Sequence, residues 1–274
     1  MLAADDNHHD LDLLQELGHQ AGKIALSYFK NKPQMWMKEG NSPVTEADLA
    51  VDLFLKEKLL EARPDYGWLS EETKDNVERL GRKRTFIVDP IDGTRGFING
   101  LSQWCISIAV VMDNRPVVGI LECPVLCQSI GAAQKNGAKL DNVALDLSQI
   151  DSEIRQRLPK ITGPQKFLKS IEKTDPGTFD KIAFIPSLAY RIAMVAMGDL
   201  DVAVAKSSAY DWDLAAADLI VHEAGGRLTD IRGAKLHYNC SSIRQGTLVS
   251  SAASHHEEML QLTQQIMNET TESF

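Results

Sequence analysis

Residues 85–94 read Thr-Phe-Ile-Val-Asp-Pro-Ile-Asp-Gly-Thr. The β-favouring run Thr85–Val88 predicts a strand, and the six residues after it predict how that strand ends. Asp89 then projects from a strand's C-terminal end, where α/β proteins build sites. Pro90 removes a backbone donor and stiffens the exit, and Gly93 permits a tight turn. Two carboxylates three residues apart across such a turn can converge on one point. There they repel, and either one takes up a proton or a divalent cation resolves the conflict. Hard oxygen donors of this kind suit Mg²⁺. The same letters also fit a plain Asx-turn in which Asp92 caps a helix.

Acidic side chains are in excess throughout, 38 against 29 basic ones in 274 residues, for a formal net charge of −9. That balance excludes a protein built to coat a nucleic-acid polymer, which needs a basic face. Hydrophobic residues make up 43%, enough for a sizeable core in one large domain or two intimate ones. The start, Met1-Leu2-Ala3-Ala4-Asp5-Asp6, lacks the basic and apolar stretches of a signal peptide. The longest apolar run, Cys105–Met112, is too short to span a bilayer, so no membrane association and a cytoplasmic location are expected. Cys105, Cys123, Cys127 and Cys240 have neither zinc nor redox spacing and read as buried reduced thiols.

Periodicity organises the rest. Leu14, Leu17, Ala21, Ile24 and Tyr28 form the stripe of an amphipathic helix over Leu11–Phe29. A short strand, Met35–Met37, and the loop Glu39–Pro43 follow. Thr45 is then an N-cap with Asp48 at the third helical position, and that helix stops at Arg63-Pro64. Tyr66–Leu69 is a short strand, and Cys105–Met112 pairs with Val117–Leu121 around Asp113–Pro116. Beyond a polar boundary at Leu145–Arg157 the rhythm becomes α/β. Strands at Ile182–Phe184, Val202–Ala205 and Thr247–Ser250 alternate with helices from Leu188, Leu214 and His256. His8, His9, His255 and His256 fall in terminal regions read as exposed, and no histidine pattern offers competing chemistry.

Three further acidic motifs matter. Ser70-Glu71-Glu72-Thr73 follows a short strand, and adjacent carboxylates there point apart, so at most one joins a shared site. Asp211-Trp212-Asp213 opens an apolar helix closed by Gly225-Gly226, where an Asp is ordinarily a cap. Thr45-Glu46-Ala47-Asp48 is the third. Together with Asp89–Thr94, and with Ala215-Ala216 and Glu223 after Trp212-Asp213, these blocks occur in the order and near the spacing of the inositol monophosphatase family, which the chain resembles from its first helix to Gly226.

The resemblance implies a layered αβαβα sandwich of mixed α+β and α/β character, of the sugar-phosphatase type. An N-terminal α+β part, residues 1–147, would carry most metal ligands. A C-terminal α/β part, residues 148–274, would carry Asp213 and the substrate wall, with the metal site between the two. It implies Mg²⁺-dependent, Li⁺-sensitive hydrolysis of a small phosphate monoester, with two or three ions, commonly in a homodimer. Glu71, Asp89, Asp92 and Asp213 match the metal-binding acids, with the Ile91 carbonyl as a further ligand. Asp48 and Thr94 match a pair that helps to activate the attacking water, together with Glu71. Gly93 and Thr94 would hold phosphate oxygens. Paired cations can lower the pKa of a water and clamp both the attacking and leaving oxygens.

The substrate is less constrained. Arg95 stands where inositol monophosphatases carry an uncharged residue, and Lys206 stands near the place of an acid that contacts sugar hydroxyls beside Asp213. Both departures resemble the branches acting on 3′(2′),5′-bisphosphate nucleotides or histidinol phosphate, since a second phosphate suits a basic residue. Inositol monophosphate is the leading expectation and the bisphosphate nucleotide the alternative. From another class, some bacterial relatives bind the transcription machinery, which gives a protein-binding regulatory reading. All the matched metal acids are present, which favours catalysis.

Overall fold

The computed structural model describes residues 2–31, 33–38, 43–149, 157–174 and 176–270. Most of the Glu39–Pro43 loop and of the Leu145–Arg157 boundary lies outside them.

Two helices open the chain, α1 (Leu2–Tyr28) and α2 (Glu46–Ala62), separated by a small antiparallel pair, β1 (Met35–Met37) with β2 (Pro43–Thr45). α2 begins as its letters predict. Thr45 accepts from the Ala47 amide, and Asp48 reaches back to the Thr45 backbone in a capping box. A seven-stranded sheet follows in sequence order: β3 (Gly67–Ser70), β4 (Arg84–Asp92), β5 (Cys105–Met112), β6 (Arg115–Cys123), β7 (Gln128–Ala133), β8 (Ala138–Leu140) and β9 (Val143–Leu145). Only β3 and β4 run parallel; every other neighbouring pair is antiparallel. Asp113 and Asn114 both take positive φ in the two-residue β5–β6 turn, the twist-matched geometry for a tight hairpin. A short helix, α3 (Thr94–Ile98), lies between β4 and β5.

The second sheet has the order β11-β10-β12-β14-β13. Its strands are β10 (Lys160–Thr162), β11 (Asp180–Lys181), β12 (Val202–Ala205), β13 (Gly226–Asp230) and β14 (Leu248–Ala252). Four helices accompany it: α4 (Gln165–Thr174), α5 (Leu188–Ala196), α6 (Asp211–Glu223) and α7 (His256–Thr270). The strand predicted at Ile182–Phe184 is instead irregular chain, with the pairing one step earlier at Asp180–Lys181. Its apolar letters serve another purpose: Ile182 packs half-buried against the core, while Phe184 stays exposed on the way to Pro186 and α5.

Three cores define five layers. Leu14, Ala21 and Ala25 of α1 and Val51, Leu55 and Leu59 of α2 pack on Phe86, Val88, Ile106, Ile108 and Ile120 of the large sheet. The sheet's other face, with Ile87, Ala109 and Leu121, packs on α5 and α6, which also meet Ala203, Ala205 and Leu248 of the second sheet. Phe167 and Ile171 of α4 and Met259, Leu260 and Ile266 of α7 cover that sheet's far face. The order is αβαβα, as expected. α6 approaches β6 so closely that a Cβ on Gly119 would lie 2.8 Å from the Ala216 Cα, so the glycine is required by the packing.

Among the described residues no helix is long and apolar enough to cross a membrane. The cysteines divide: Cys105 and Cys123 are buried as expected, whereas Cys127 is exposed and Cys240 half-buried. His256 also departs from expectation. It is buried between the hydroxyls of Thr229, 2.8 Å away, and Ser251, 2.9 Å away, because α7 folds back onto β13 and β14.

Candidate active site

β4 does not end at Val88. It continues through Asp92, entirely buried, and slips register against β5 between Asp89 and Asp92. Pro90 sits at this irregularity, where a missing N–H costs no ladder bond. The slip lets both Asp89 and Asp92 face one side. Asp213, on the first turn of α6, comes to the same place, and oxygens of Asp89, Asp92 and Asp213 lie within 4.8 Å of one another.

Each acid is held by backbone or hydroxyl donors. Asp89 accepts from the Ile91 amide at 3.0 Å, and Asp213 from the Tyr210 amide at 2.7 Å. Asp92 accepts from the Ala189 amide at 2.7 Å and from the Ser187 hydroxyl. It is therefore a helix cap, but of α5 in the other half rather than of the turn that follows it. Burial raises the Asp89 carboxyl well above its usual range, and the charges of Glu71, Asp92 and Asp213 add to that. Burial likewise raises Asp213, with Asp92 the next cause, and lifts Asp92 to about 6 against the pull of its hydrogen bonds. Three carboxyls, two buried and Asp213 half-buried, that disfavour their own ionised forms are a donor set in want of a cation. All-oxygen donors at this spacing fit a hard divalent ion.

Glu71 lines the same cavity, of about 210 Å³, with Pro43, Ile91, Gly93, Thr94, Arg95, Phe184 and Pro186. Glu72 does not line it. Lys38, which follows β1, reaches both carboxylates, at 3.0 Å from Glu71 and 2.6 Å from Glu72. Burial pulls the Lys38 ammonium down, but the two carboxylates outweigh it and hold its pKa above the usual value. Burial raises Glu72 to about 7.

The Thr94 hydroxyl is 3.0 Å from the Ile91 carbonyl and 3.3 Å from Asp48. Asp48 is buried and accepts from the Thr45 amide and hydroxyl, and burial lifts it to about 6. Gly93 is the left-handed N-cap of α3, with φ of 93°. Any Cβ there would press on the Ser187 backbone at 3.0 Å. Arg95 lines the cavity, while Lys206 is exposed and is not among its lining residues.

The structure thus brings together Glu71, Asp89, Ile91, Asp92, Gly93, Thr94, Arg95 and Asp213, with Asp48 behind Thr94, and leaves Lys206 outside. Lys38 and Phe184 were not legible as parts of the site. The run Ser187–Arg191 reads equally as pocket wall and as the start of a helix with Leu188 toward the core, and Ser187 is the N-cap of α5 that also donates to Asp92.

Buried carboxylates converging beside a hydroxyl–carboxylate pair, at the seam of an αβαβα sandwich, define a metal-assisted phosphoester-hydrolase type of site. Comparison with known proteins names the family: residues 6–268 match the inositol monophosphatase family, and the chain belongs to it as a phosphatase. A 3′(2′),5′-bisphosphate nucleotidase CysQ of Haemophilus influenzae is 30% identical over 85% of this chain and 88% of its own length. A histidinol-phosphatase of Chlorobaculum parvum is 31% identical over 82% and 86%. An inositol monophosphatase of Dictyostelium discoideum is 29% identical over 82% and 84%. The solved structure of an IMPase from Thermotoga maritima superposes with a TM-score of 0.81 at 25% identity, covering 95% of this chain and 99% of that one.

Proposed function

We propose that the chain hydrolyses a small phosphate monoester with Mg²⁺, in the manner of an inositol monophosphatase, using water and no covalent enzyme intermediate. The observation that carries this reading is the meeting of Asp89, Asp92 and Asp213 beside Thr94 in one cavity. Glu71, Asp89, Asp92, Asp213 and the Ile91 carbonyl would hold two or three Mg²⁺ ions. When bound, these supply positive charge that offsets the phosphate's and lowers the pKa of a water.

This chain's own residues do the rest. Thr94 donates to Asp48, so its oxygen is turned to accept a proton from a water in the cavity, with Asp48 taking the hydroxyl proton in turn. The backbone of Gly93 and Thr94 binds phosphate oxygens. Ser187 and the Ala189 amide orient Asp92, and the Ile91 and Tyr210 amides orient Asp89 and Asp213. Residues 1–147 and 148–274 act as two cooperating parts, with Asp213 supplied by the second.

Inositol monophosphate is the leading substrate, and Li⁺ inhibition and a homodimer are parts of the proposal. A doubly charged substrate, such as a 3′(2′),5′-bisphosphate nucleotide, is favoured by Arg95 in the cavity lining and by the CysQ relative. Phosphate release from inositol 1-phosphate, 3′-phosphoadenosine 5′-phosphate, histidinol phosphate and fructose 1,6-bisphosphate tests both, in Mg²⁺ with and without Li⁺. Release from at least one, abolished without Mg²⁺, is expected. No release from any of them overturns the reading and favours a protein-binding role.

A further inference from the structure

One cation beside this site has no role in anything described above. Arg191 lies on the first turns of α5, directly after the residues that grip Asp92. It is only 7% exposed, and its buried Nε has no hydrogen-bond partner. Every other deeply buried arginine among the described residues is matched: Arg79 with Asp75 and Asn239, and Arg84 with Asp10. A guanidinium is a fork of five donors that stays charged, and burying one without an acceptor is costly. Burial does pull its pKa down, with the Asp92 charge opposing, which puts Arg191 within electrostatic reach of the acid cluster.

What covers Arg191 is also particular. Its guanidinium lies 5.6 Å from the centre of the Phe184 ring. Phe184 is 61% exposed and lines the cavity that holds Asp89, Asp92 and Asp213. It belongs to the irregular stretch between β11 and α5, so no ladder of hydrogen bonds fixes it. An aromatic ring supplies a cation with weak attraction but no acceptor. The arginine is therefore held behind one exposed side chain of the cavity wall, with its Nε donor unspent.

We propose that Arg191 is a specificity-determining residue that binds a second anionic group of the substrate, a phosphate or a carboxylate, reached when Phe184 turns aside. The inference rests on the phosphatase reading of this site and deepens it. The planar fork suits two oxygens of one group, and a buried charge that gains its missing acceptor discriminates strongly against a substrate lacking it. A substrate with one phosphate and otherwise neutral hydroxyls leaves the arginine as it is now.

Two substrate pairs separate the sources of the second charge: adenosine 3′-phosphate against adenosine 3′,5′-bisphosphate, and glycerol 3-phosphate against 3-phosphoglycerate. In each, the readout is the ratio of kcat/KM between the doubly and singly anionic member, in Mg²⁺. The wild-type protein is expected to favour the doubly anionic member of at least one pair tenfold or more. Arg191→Gln should cut that ratio at least tenfold, through KM, and Arg191→Lys should recover part of it. Phe184→Glu, at an exposed position that does not endanger folding, places a carboxylate beside the guanidinium and should also cut the ratio. No preference in the wild-type protein overturns the proposal. So does a ratio unchanged in Arg191→Gln and Phe184→Glu, or a fall of both members in step, the behaviour of a residue that merely supports α5. If none of the four substrates is hydrolysed, the ratio has no reading, and the phosphatase reading is decided separately by release from inositol 1-phosphate, histidinol phosphate and fructose 1,6-bisphosphate. Calorimetric titration with adenosine 3′,5′-bisphosphate and with 3-phosphoglycerate then decides. Weaker binding by Arg191→Gln upholds the anion site, and equal binding removes it.

Discussion

The Asp92 carboxylate on β4 caps α5 by accepting from the Ala189 amide at 2.7 Å, a contact spanning 97 residues. One side chain thus serves both the acid cluster and the junction between the two sheets. Asp92→Asn retains an oxygen for that cap but removes the charge. The variant should fold as the wild type does and lose Mg²⁺-dependent phosphate release. The rise in melting temperature that Mg²⁺ gives the wild type, as any ligand selective for the folded state does, should shrink with it. Circular dichroism, thermal melts with and without Mg²⁺, and a phosphate assay check the three parts.

Ser187 joins the same junction, accepting from the Tyr190 amide and donating to Asp92. Replacing it with Ala removes a helix cap and a hydrogen bond to a charged group, costing about 1–3 kcal/mol of stability. It should also raise the Mg²⁺ concentration needed for half-maximal activity, because Asp92 is then less firmly aimed. Urea unfolding and Mg²⁺ titration of activity measure both effects.

Thr94 and Asp48 act as one relay in the proposed mechanism. Thr94→Val and Asp48→Asn should each lower kcat by about 10²-fold or more, the range for loss of general-base help. The double variant should be little worse than either single one, as for residues that work as a unit. Independent, multiplying losses would separate the two roles.

His256 gives a pH prediction away from the site. Burial, with Arg227 opposing its charge, holds its pKa at about 4, below the usual 6.5. The unfolded chain therefore takes up this proton first. The stabilisation is whole above pH 6.5 and is lost as the pH falls from there toward 4. Between pH 7.5 and pH 5, the wild type should lose about 1–2 kcal/mol more than His256→Asn in urea unfolding.

Local physics was the legible part. The Thr45–Asp48 capping box and the hairpin around Asp113–Pro116 are decided within a few residues, and both are present, although Arg115 and Pro116 join the second strand and leave Asp113-Asn114 as the turn. The acids of the cluster were readable from their motifs, but the way Asp89 and Asp92 reach one side was not. Proline and aspartate read as punctuation, whereas here they continue a buried strand through a slip in register. The apolar letters of Ile182–Phe184 suggested a strand, yet they lead the chain to the cavity edge. Lys38 reaches Glu71 across 33 residues, and Ser187 reaches Asp92 across 95. His256 was misplaced for the same reason, since its hydroxyl partners sit on β13 and β14. Periodicity carries no signal at such separations.

The two helices sandwiched between the sheets, α5 and α6, also carry the donors to Asp92 and the Asp213 carboxylate. A small sliding of one sheet past the other would scatter the ligand set while most apolar side chains still found neighbours. Catalytic competence should accordingly be the more fragile property: under mild denaturant the enzyme ought to fall silent before its spectroscopic signature of folding begins to fade.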